Sequence, residues 1–120
     1  MIKVTINGAS GKMGTKVSNL IKNDSSLVEC FDDISCSDLV IDFSQPSSTK
    51  TILKKCVAAK KPIIIGTTGF TNDDLNEIRE AANLIPIVLA ANMSRGMIYL
   101  KKSLASFIHN NQDKLRCFIE

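Results

Sequence analysis

The chain has 120 residues, of which 44% are apolar and 22% charged, and its formal net charge is +3. A chain of this length can bury about two thirds of the surface that its unfolded form exposes, so we expect one domain without a metal or disulfide staple. No apolar run approaches the ~20 residues of a membrane-spanning helix, and we expect no signal peptide. The positive charge comes from scattered lysines, and no Trp is available to stack on bases. These features favour a globular protein that binds neither membranes nor nucleic acid.

The cysteines form no recognisable metal or redox motif. They are Cys30, Cys36, Cys56 and Cys117, and neither a C-x-x-C pair nor the spacing of a zinc site occurs among them. We therefore expect reduced thiols in a cytoplasmic protein and no metal site.

Short apolar strands alternate with amphipathic helices along almost the whole chain. β-branched residues predict a first strand over 2–7, which Gly8 ends. The next helix, over 11–23, has a predicted apolar face of Met13, Val17, Leu20 and Ile21. Two further strands are expected over 27–31 and 38–43, the second continuously apolar in its middle, as in a strand covered on both faces.

The second half of the chain continues the alternation. Pro46 suits the first turn of a helix whose predicted buried face is Ile52, Leu53, Cys56 and Val57. A strand over 62–65 precedes a helix that Thr71 caps, with a predicted apolar face of Leu75, Ile78 and Ala82. After a strand over 85–90, the clearest helical stripe consists of Met97, Leu100, Leu104, Phe107 and Ile108. A last strand is expected over 114–119.

This alternation predicts an α/β fold: a Rossmann-type, doubly wound parallel sheet with helices on both faces. Only about a dozen residues separate the helix ending near Asn23 from the strand starting at Asp38. A full crossover needs a dozen or more residues by itself. We therefore expect one strand–helix unit to be reduced here.

A glycine loop, Gly8-Ala9-Ser10-Gly11-Lys12-Met13-Gly14, follows the first strand and opens the first helix. This is the context of a dinucleotide-binding loop, although the pattern is G-x-x-G-x-x-G and not the stricter G-x-G-x-x-G. Gly8 permits a tight turn, Gly11 lets the backbone approach a pyrophosphate, and Gly14 allows close packing. A P-loop is excluded because Ile6 and Met13 replace its required residues.

An acid that binds a ribose is expected about 20 residues beyond such a loop. Asp32 lies at a suitable position, but Asp33 adjoins it, and either could be a turn residue. A carboxylate there favours NADH over NADPH, because it bonds a 2′-hydroxyl and repels a 2′-phosphate.

Two more loops follow predicted strands, Gly66-Thr67-Thr68-Gly69-Phe70 and Ala91-Asn92-Met93-Ser94-Arg95-Gly96. They offer amides and hydroxyls, which position a ligand without acid–base chemistry. Helix capping is the alternative role. Asp42 ends its strand near the same crevice and could equally fix a turn, and His109 is more consistent with a helix end than with a catalytic set.

Together with Val40-Ile41-Asp42-Phe43-Ser44, these segments closely resemble the 4-hydroxy-tetrahydrodipicolinate reductase (dihydrodipicolinate reductase) family of the diaminopimelate route to lysine. The resemblance extends over nearly the whole chain. It implies reduction of a cyclic dicarboxylate by hydride from NADH or NADPH, and homotetramers in the family. The implied cofactor-binding residues are Gly8, Ala9, Ser10, Gly11, Lys12 and Met13 for the pyrophosphate, Asp32 for the adenosine ribose, Gly66, Thr67 and Thr68 for the nicotinamide ribose, and Ala90, Ala91, Asn92 and Met93 for the nicotinamide.

Family members continue into a substrate domain with a His-His-x-x-x-Lys-x-Asp-Ala-Pro-Ser-Gly-Thr motif, which these 120 residues do not contain. We therefore expect residues 1–120 to be the cofactor-binding domain, with no catalytic residue of its own and without much of the family's tetramer interface. The alternatives are a non-catalytic dinucleotide-binding module, which could act with a separate chain, and a decayed gene product.

Overall fold

The computed structural model describes residues 1–90 and 95–110. Its strands are β1 (Ile2–Asn7), β2 (Leu27–Glu29), β3 (Leu39–Asp42), β4 (Ile63–Ile65) and β5 (Ile87–Leu89). Its helices are α1 (Lys12–Lys22), α2 (Pro46–Ala59), α3 (Asn72–Ala81) and α4 (Arg95–Asn110), and a 3-10 turn occupies Ile34–Cys36. The strand expected over 114–119 lies outside the described residues.

The five strands form one parallel sheet in the order β2-β1-β3-β4-β5. Across the sheet, the step from β1 to β2 goes towards one edge, and the steps from β3 to β4 and from β4 to β5 go towards the other edge. Because such crossovers are right-handed, α1 covers one face of the sheet, and α2 and α3 cover the other. The predicted doubly wound α/β architecture is confirmed, and its switch point lies between β1 and β3.

The main core lies between the sheet and helices α2 and α3. The apolar face predicted for α2 is confirmed, since Cys56 is fully buried and Val57 packs at the edge of the cluster. The buried members of this core are Ile34, Val40, Ile52, Leu53, Cys56, Ile63, Ile65, Ile78, Ala81 and Ile85.

Helix α1 is rotated relative to the prediction. Met13 and Leu20, which were expected on its buried face, are 47% and 69% exposed, whereas Gly14 and Ile21 are buried. A side chain at Gly14 would collide with the carbonyl oxygen of Gly8. This close approach turns Gly14 towards the loop, and the buried face then follows seven residues later at Ile21.

Helix α3 begins with the predicted Thr71 cap. The Thr71 hydroxyl accepts from the Asp74 N–H at 3.2 Å, and the Asp74 carboxylate accepts from the Thr71 N–H at 2.9 Å. Lys50 of α2 lies 2.6 Å from the same carboxylate and, with the Thr71 N–H, holds the pKa of Asp74 below its usual range. Asp74 is buried, and Ala81, seven residues later on the same face of the helix, is buried in place of the predicted Ala82, which is exposed.

The reduced unit predicted between the first helix and the third strand is confirmed. The chain passes from β2 to β3 through a 3-10 turn of three residues, Ile34–Cys36, instead of a full helix. Ile34 is buried in the core with α2, and the Ser37 hydroxyl donates to the Ile34 carbonyl at 2.7 Å. The turn thus fills part of the space of a crossover helix.

Helix α4 forms over the predicted stripe. Within this stripe, Leu100 and Leu104 are 58% and 47% exposed. Among the described residues, no helix combines the length and the hydropathy needed to cross a bilayer.

Candidate functional site

The carboxyl ends of β1, β3 and β4 meet at one edge of the sheet. Asn7 pairs with Asp42 across β1 and β3, and Asp42 pairs with Ile65 across β3 and β4. The loops that follow these residues therefore lie side by side. Ligands of open α/β sheets bind in the crevice between such loops at the switch point.

The glycine loop is shaped by close backbone packing. Gly8 has a φ of +87°, in the left-handed region that side chains other than glycine rarely adopt. A Cβ at Gly8 would also collide with the carbonyl oxygen of Phe43. The loop following β1 therefore sits directly against the loop following β3.

Gly11 differs from the two glycines beside it. A Cβ at this position would lie 3.4 Å from the Gly8 carbonyl oxygen and 4.0 Å from that of Phe43, which are ordinary contacts. Gly11 is also the N-cap of α1, and it supplies no side-chain acceptor. The N-terminus of α1 thus faces the crevice without a capping side chain, an arrangement suited to an anion.

Phe43 connects two of the loops. Its main chain touches Gly8, while its ring occupies the space into which a side chain at Gly66 would project. The absence of a side chain at Gly66 therefore allows the aromatic ring to pack against the loop that follows β4.

Asp42 is fully buried, and its carboxylate accepts four hydrogen bonds. Asn7 Nδ2 and Ser44 Oγ donate to Oδ1 at 2.7 and 2.6 Å. Thr49 Oγ1 and Thr67 Oγ1 donate to Oδ2 at 2.5 and 2.8 Å. Because a buried carboxylate is tolerated when donors satisfy its oxygens, this residue joins the ends of β1, β3 and β4 to the first turn of α2.

Two adjoining depressions of about 350 and 330 Å³ form the crevice. Both are lined by Gly11, Phe43 and Ser44. The first is also lined by Lys12, Met13, Gly66, Thr67 and Thr68. The second is also lined by Gly8, Ser10, Gln45 and Ser48. The structure thus brings together most residues of the two glycine-containing segments that the sequence singled out.

Of the remaining cofactor-binding candidates, Ala9, Asp32 and Ala90 line neither depression, and the others lie outside the described residues. Ala9 supplies a carbonyl that accepts from Thr15 Oγ1 at 3.2 Å, and the Ala90 N–H donates to the Ile65 carbonyl at 3.1 Å. Asp32 is exposed beyond β2, whereas Asp33 accepts from Ser35 Oγ at 2.9 Å at the start of the 3-10 turn. Ala91, Asn92 and Met93 lie outside the described residues, and His109 is in the last turn of α4.

Sequence reasoning missed the polar network under the crevice. Asn7, Ser48 and Thr49 were not singled out, although Asn7 and Asp42 are polar residues at the carboxyl ends of two strands, which was the available signal. The neighbouring thiol is not a nucleophile, because burial, with the Asp42 charge, raises the pKa of Cys56 to about 11. Within residues 1–90 and 95–110, no cluster of three His, Cys, Asp or Glu side chains could hold a metal ion.

Comparisons with known proteins agree with this architecture. A curated 4-hydroxy-tetrahydrodipicolinate reductase of Alkaliphilus oremlandii is 40% identical over 101 residues, covering 77% of this chain and 42% of that protein. A Campylobacter jejuni protein of the same name is 34% identical over 125 residues, covering 92% of this chain and 50% of that protein. The chain therefore spans about half the length of the curated relatives it matches.

A solved structure, dipicolinate-bound dihydrodipicolinate reductase from Paenisporosarcina sp. TG-14, matches with a TM-score of 0.71 at 21% identity. The match covers 90% of this chain and 53% of that one, and it shows that the fold is shared. The family model described as dihydrodipicolinate reductase, N-terminus, matches residues 24–93. Since this range is more than half of the sequence, the chain belongs to the dihydrodipicolinate reductase family.

Proposed function

We propose that residues 1–120 are the cofactor-binding domain of a 4-hydroxy-tetrahydrodipicolinate reductase, which reduces a cyclic dicarboxylate in lysine biosynthesis in the cytoplasm. Family membership supports the reaction, and the crevice at the ends of β1, β3 and β4 supports the role of this domain. The observation on which the proposal depends most is that Gly11, at the uncapped N-terminus of α1, lines both depressions of the crevice.

The residues of the crevice fit a pyridine dinucleotide. The N-terminus of α1 and the loop Gly8–Met13 would hold the pyrophosphate, because backbone N–H groups and the helix dipole favour negative charge there. Gly66, Thr67 and Thr68 would hold the nicotinamide ribose, and Ala90–Met93 the nicotinamide. When bound, the cofactor supplies the hydride, while the protein aligns and encloses it.

The direct test is binding. The 120-residue polypeptide is expected to bind NADH saturably, because the loops on both sides of the crevice are present. Isothermal titration calorimetry or the change in NADH fluorescence measures the Kd. An absence of saturable binding up to millimolar NADH contradicts the proposed function.

The choice between NADH and NADPH depends on Asp32. Its exposed carboxylate follows β2, where it would bond the 2′-hydroxyl of the adenosine ribose and repel a 2′-phosphate. We expect NADH to bind about tenfold more tightly than NADPH or better, which corresponds to ~1.4 kcal/mol or more. Competition titrations with both cofactors measure this ratio.

The ratio of the NADPH Kd to the NADH Kd is expected to fall in Asp32→Asn. It is expected to stay unchanged in Asp73→Asn, which serves as a matched control because Asp73 is exposed on α3. Equal affinities for the two cofactors in the wild-type chain would show that the acid assignment is wrong. In that case Lys12 or another basic residue governs binding of the 2′-phosphate.

A further inference from the structure

Ser44 and Thr67 both line the larger depression, and each carries a hydroxyl group. Each hydroxyl can donate one hydrogen bond and accept two. The direction in which these groups point therefore decides whether the wall offers donors or acceptors to a ligand.

Both hydroxyl protons are directed to Asp42, which lines neither depression. Ser44 Oγ donates to Asp42 Oδ1 at 2.6 Å, and Thr67 Oγ1 donates to Asp42 Oδ2 at 2.8 Å. An ionised carboxylate can only accept hydrogen bonds, so it fixes both protons towards itself. Bonds to an ionised acceptor are also stronger than bonds between neutral groups.

With their protons donated to Asp42, both hydroxyls can only accept further hydrogen bonds. Ser44 Oγ already accepts from Asn7 Nδ2 at 3.0 Å, and Thr67 Oγ1 accepts from the Ser44 N–H at 2.9 Å. Asn7 Nδ2 has two protons and three acceptors within range, Asp42 Oδ1, Ser44 Oγ and Ser48 Oγ, so at least one lone pair is left on each hydroxyl oxygen. The Ser44 N–H, which could otherwise donate to an anion, is occupied by Thr67.

We propose that Asp42 is a positioning residue that, through Ser44 and Thr67, makes this wall of the crevice a surface of hydrogen-bond acceptors. Such a surface binds the hydroxyl donors of a sugar and disfavours a phosphate, whose oxygens are themselves acceptors. The N-terminus of α1, which lines the same depression, offers donors instead.

This inference rests on the proposed function, and it is tested by comparing two ligands. NADH has a second ribose and ADP does not, although both contain the adenosine and the pyrophosphate. Asp42→Asn places an amide among donors and releases the hydroxyl protons. We expect it to weaken NADH binding about tenfold, the effect of one or two hydrogen bonds, and ADP binding less than about threefold.

Variants at position 67 test the same idea without altering the buried charge. Thr67→Val removes the hydroxyl while nearly keeping the shape of the side chain, and we expect it to reproduce the selective loss of NADH affinity. Thr67→Ser keeps the hydroxyl, and we expect a much smaller loss of NADH affinity. Thr51→Val is the matched control, because Thr51 is exposed on α2 and its hydroxyl bonds only the Ser47 carbonyl among the described residues. Thermal unfolding of each variant reports whether the fold is kept.

The outcomes separate the two proposals. Selective loss of NADH affinity in Asp42→Asn or in Thr67→Val supports the positioning role. Unchanged NADH affinity in both variants, or equal losses for NADH and ADP, overturns it and leaves Asp42 a structural residue. If the wild-type chain binds neither ligand, the proposed function itself is wrong, and the inference falls with it.

Discussion

Replacing Gly11 with valine is expected to abolish NADH binding while the chain remains folded. Gly11 lines both depressions of the crevice, so a branched side chain there occupies the space that a pyrophosphate needs. Loss of two or more charge-assisted hydrogen bonds at the N-terminus of α1 corresponds to a weakening of about 100-fold or more.

The fold itself should tolerate this change. Gly11 has φ −75° and ψ 170°, an extended conformation that β-branched residues adopt readily, and its Cβ position makes only ordinary contacts. Gly14→Val provides the contrast, because a Cβ at Gly14 collides with the Gly8 carbonyl oxygen and must displace the loop. We expect a large loss of thermal stability in Gly14→Val and little in Gly11→Val.

Calorimetric titration with NADH and a thermal unfolding curve, recorded for both variants and the wild type, measure these effects. Gly11→Ala gives an intermediate size and should weaken binding less than valine does. NADH binding by folded Gly11→Val at close to the wild-type Kd would show that the pyrophosphate lies elsewhere.

The second large effect concerns turnover. We expect the 120-residue polypeptide to bind NADH and yet not to reduce the cyclic dicarboxylate substrate. Among the described residues that line the crevice, the side chains are mainly hydroxyls and apolar groups, and the buried Asp42 carboxylate is occupied by four donors. Loss of a general acid alone lowers a rate by about 10²–10⁴-fold.

Loss of the groups that hold the substrate removes a further contribution of up to ~7–11 kcal/mol from proximity and orientation. The measurement is NADH oxidation with enzymatically generated substrate, for this polypeptide alone and for a fusion to the second half of a relative that contains the His-His and Lys motif. We expect activity only in the fusion. Steady turnover by the polypeptide alone would contradict this expectation and direct the search for a proton donor to Lys12, Asp42 and His109.

Much of the fold could be predicted because strand positions depend on local patterns. The apolar runs before Gly8 and Gly66 located β1 and β4, and the short interval between Asn23 and Asp38 predicted the reduced crossover. Helix rotation was harder to predict. Periodicity favoured Met13 and Leu20 as buried, but the backbone contact of Gly14 determined which side of α1 faces inward.

The loops around the candidate site could be predicted from the sequence, but the hydrogen-bond network beneath them could not. Glycine spacing identified the loops, since a requirement for close backbone approach is visible in the sequence. The hydrogen bonds of Asp42 with Asn7, Thr49 and Thr67 join residues from four parts of the chain, and no local pattern specifies such pairings. The contacts of Asp42 could therefore be found only in the three-dimensional arrangement.

The packing of Phe43 against two glycines places different evolutionary constraints on them. The obstruction at Gly66 is the aromatic ring, so a side chain at position 66 becomes sterically possible in a background where position 43 has a smaller residue. The obstruction at Gly8 is the main-chain carbonyl of Phe43, which every substitution at position 43 leaves in place. Whether a side chain is tolerated at position 66 thus depends on the residue at position 43, whereas glycine at position 8 is required whatever residue occupies position 43.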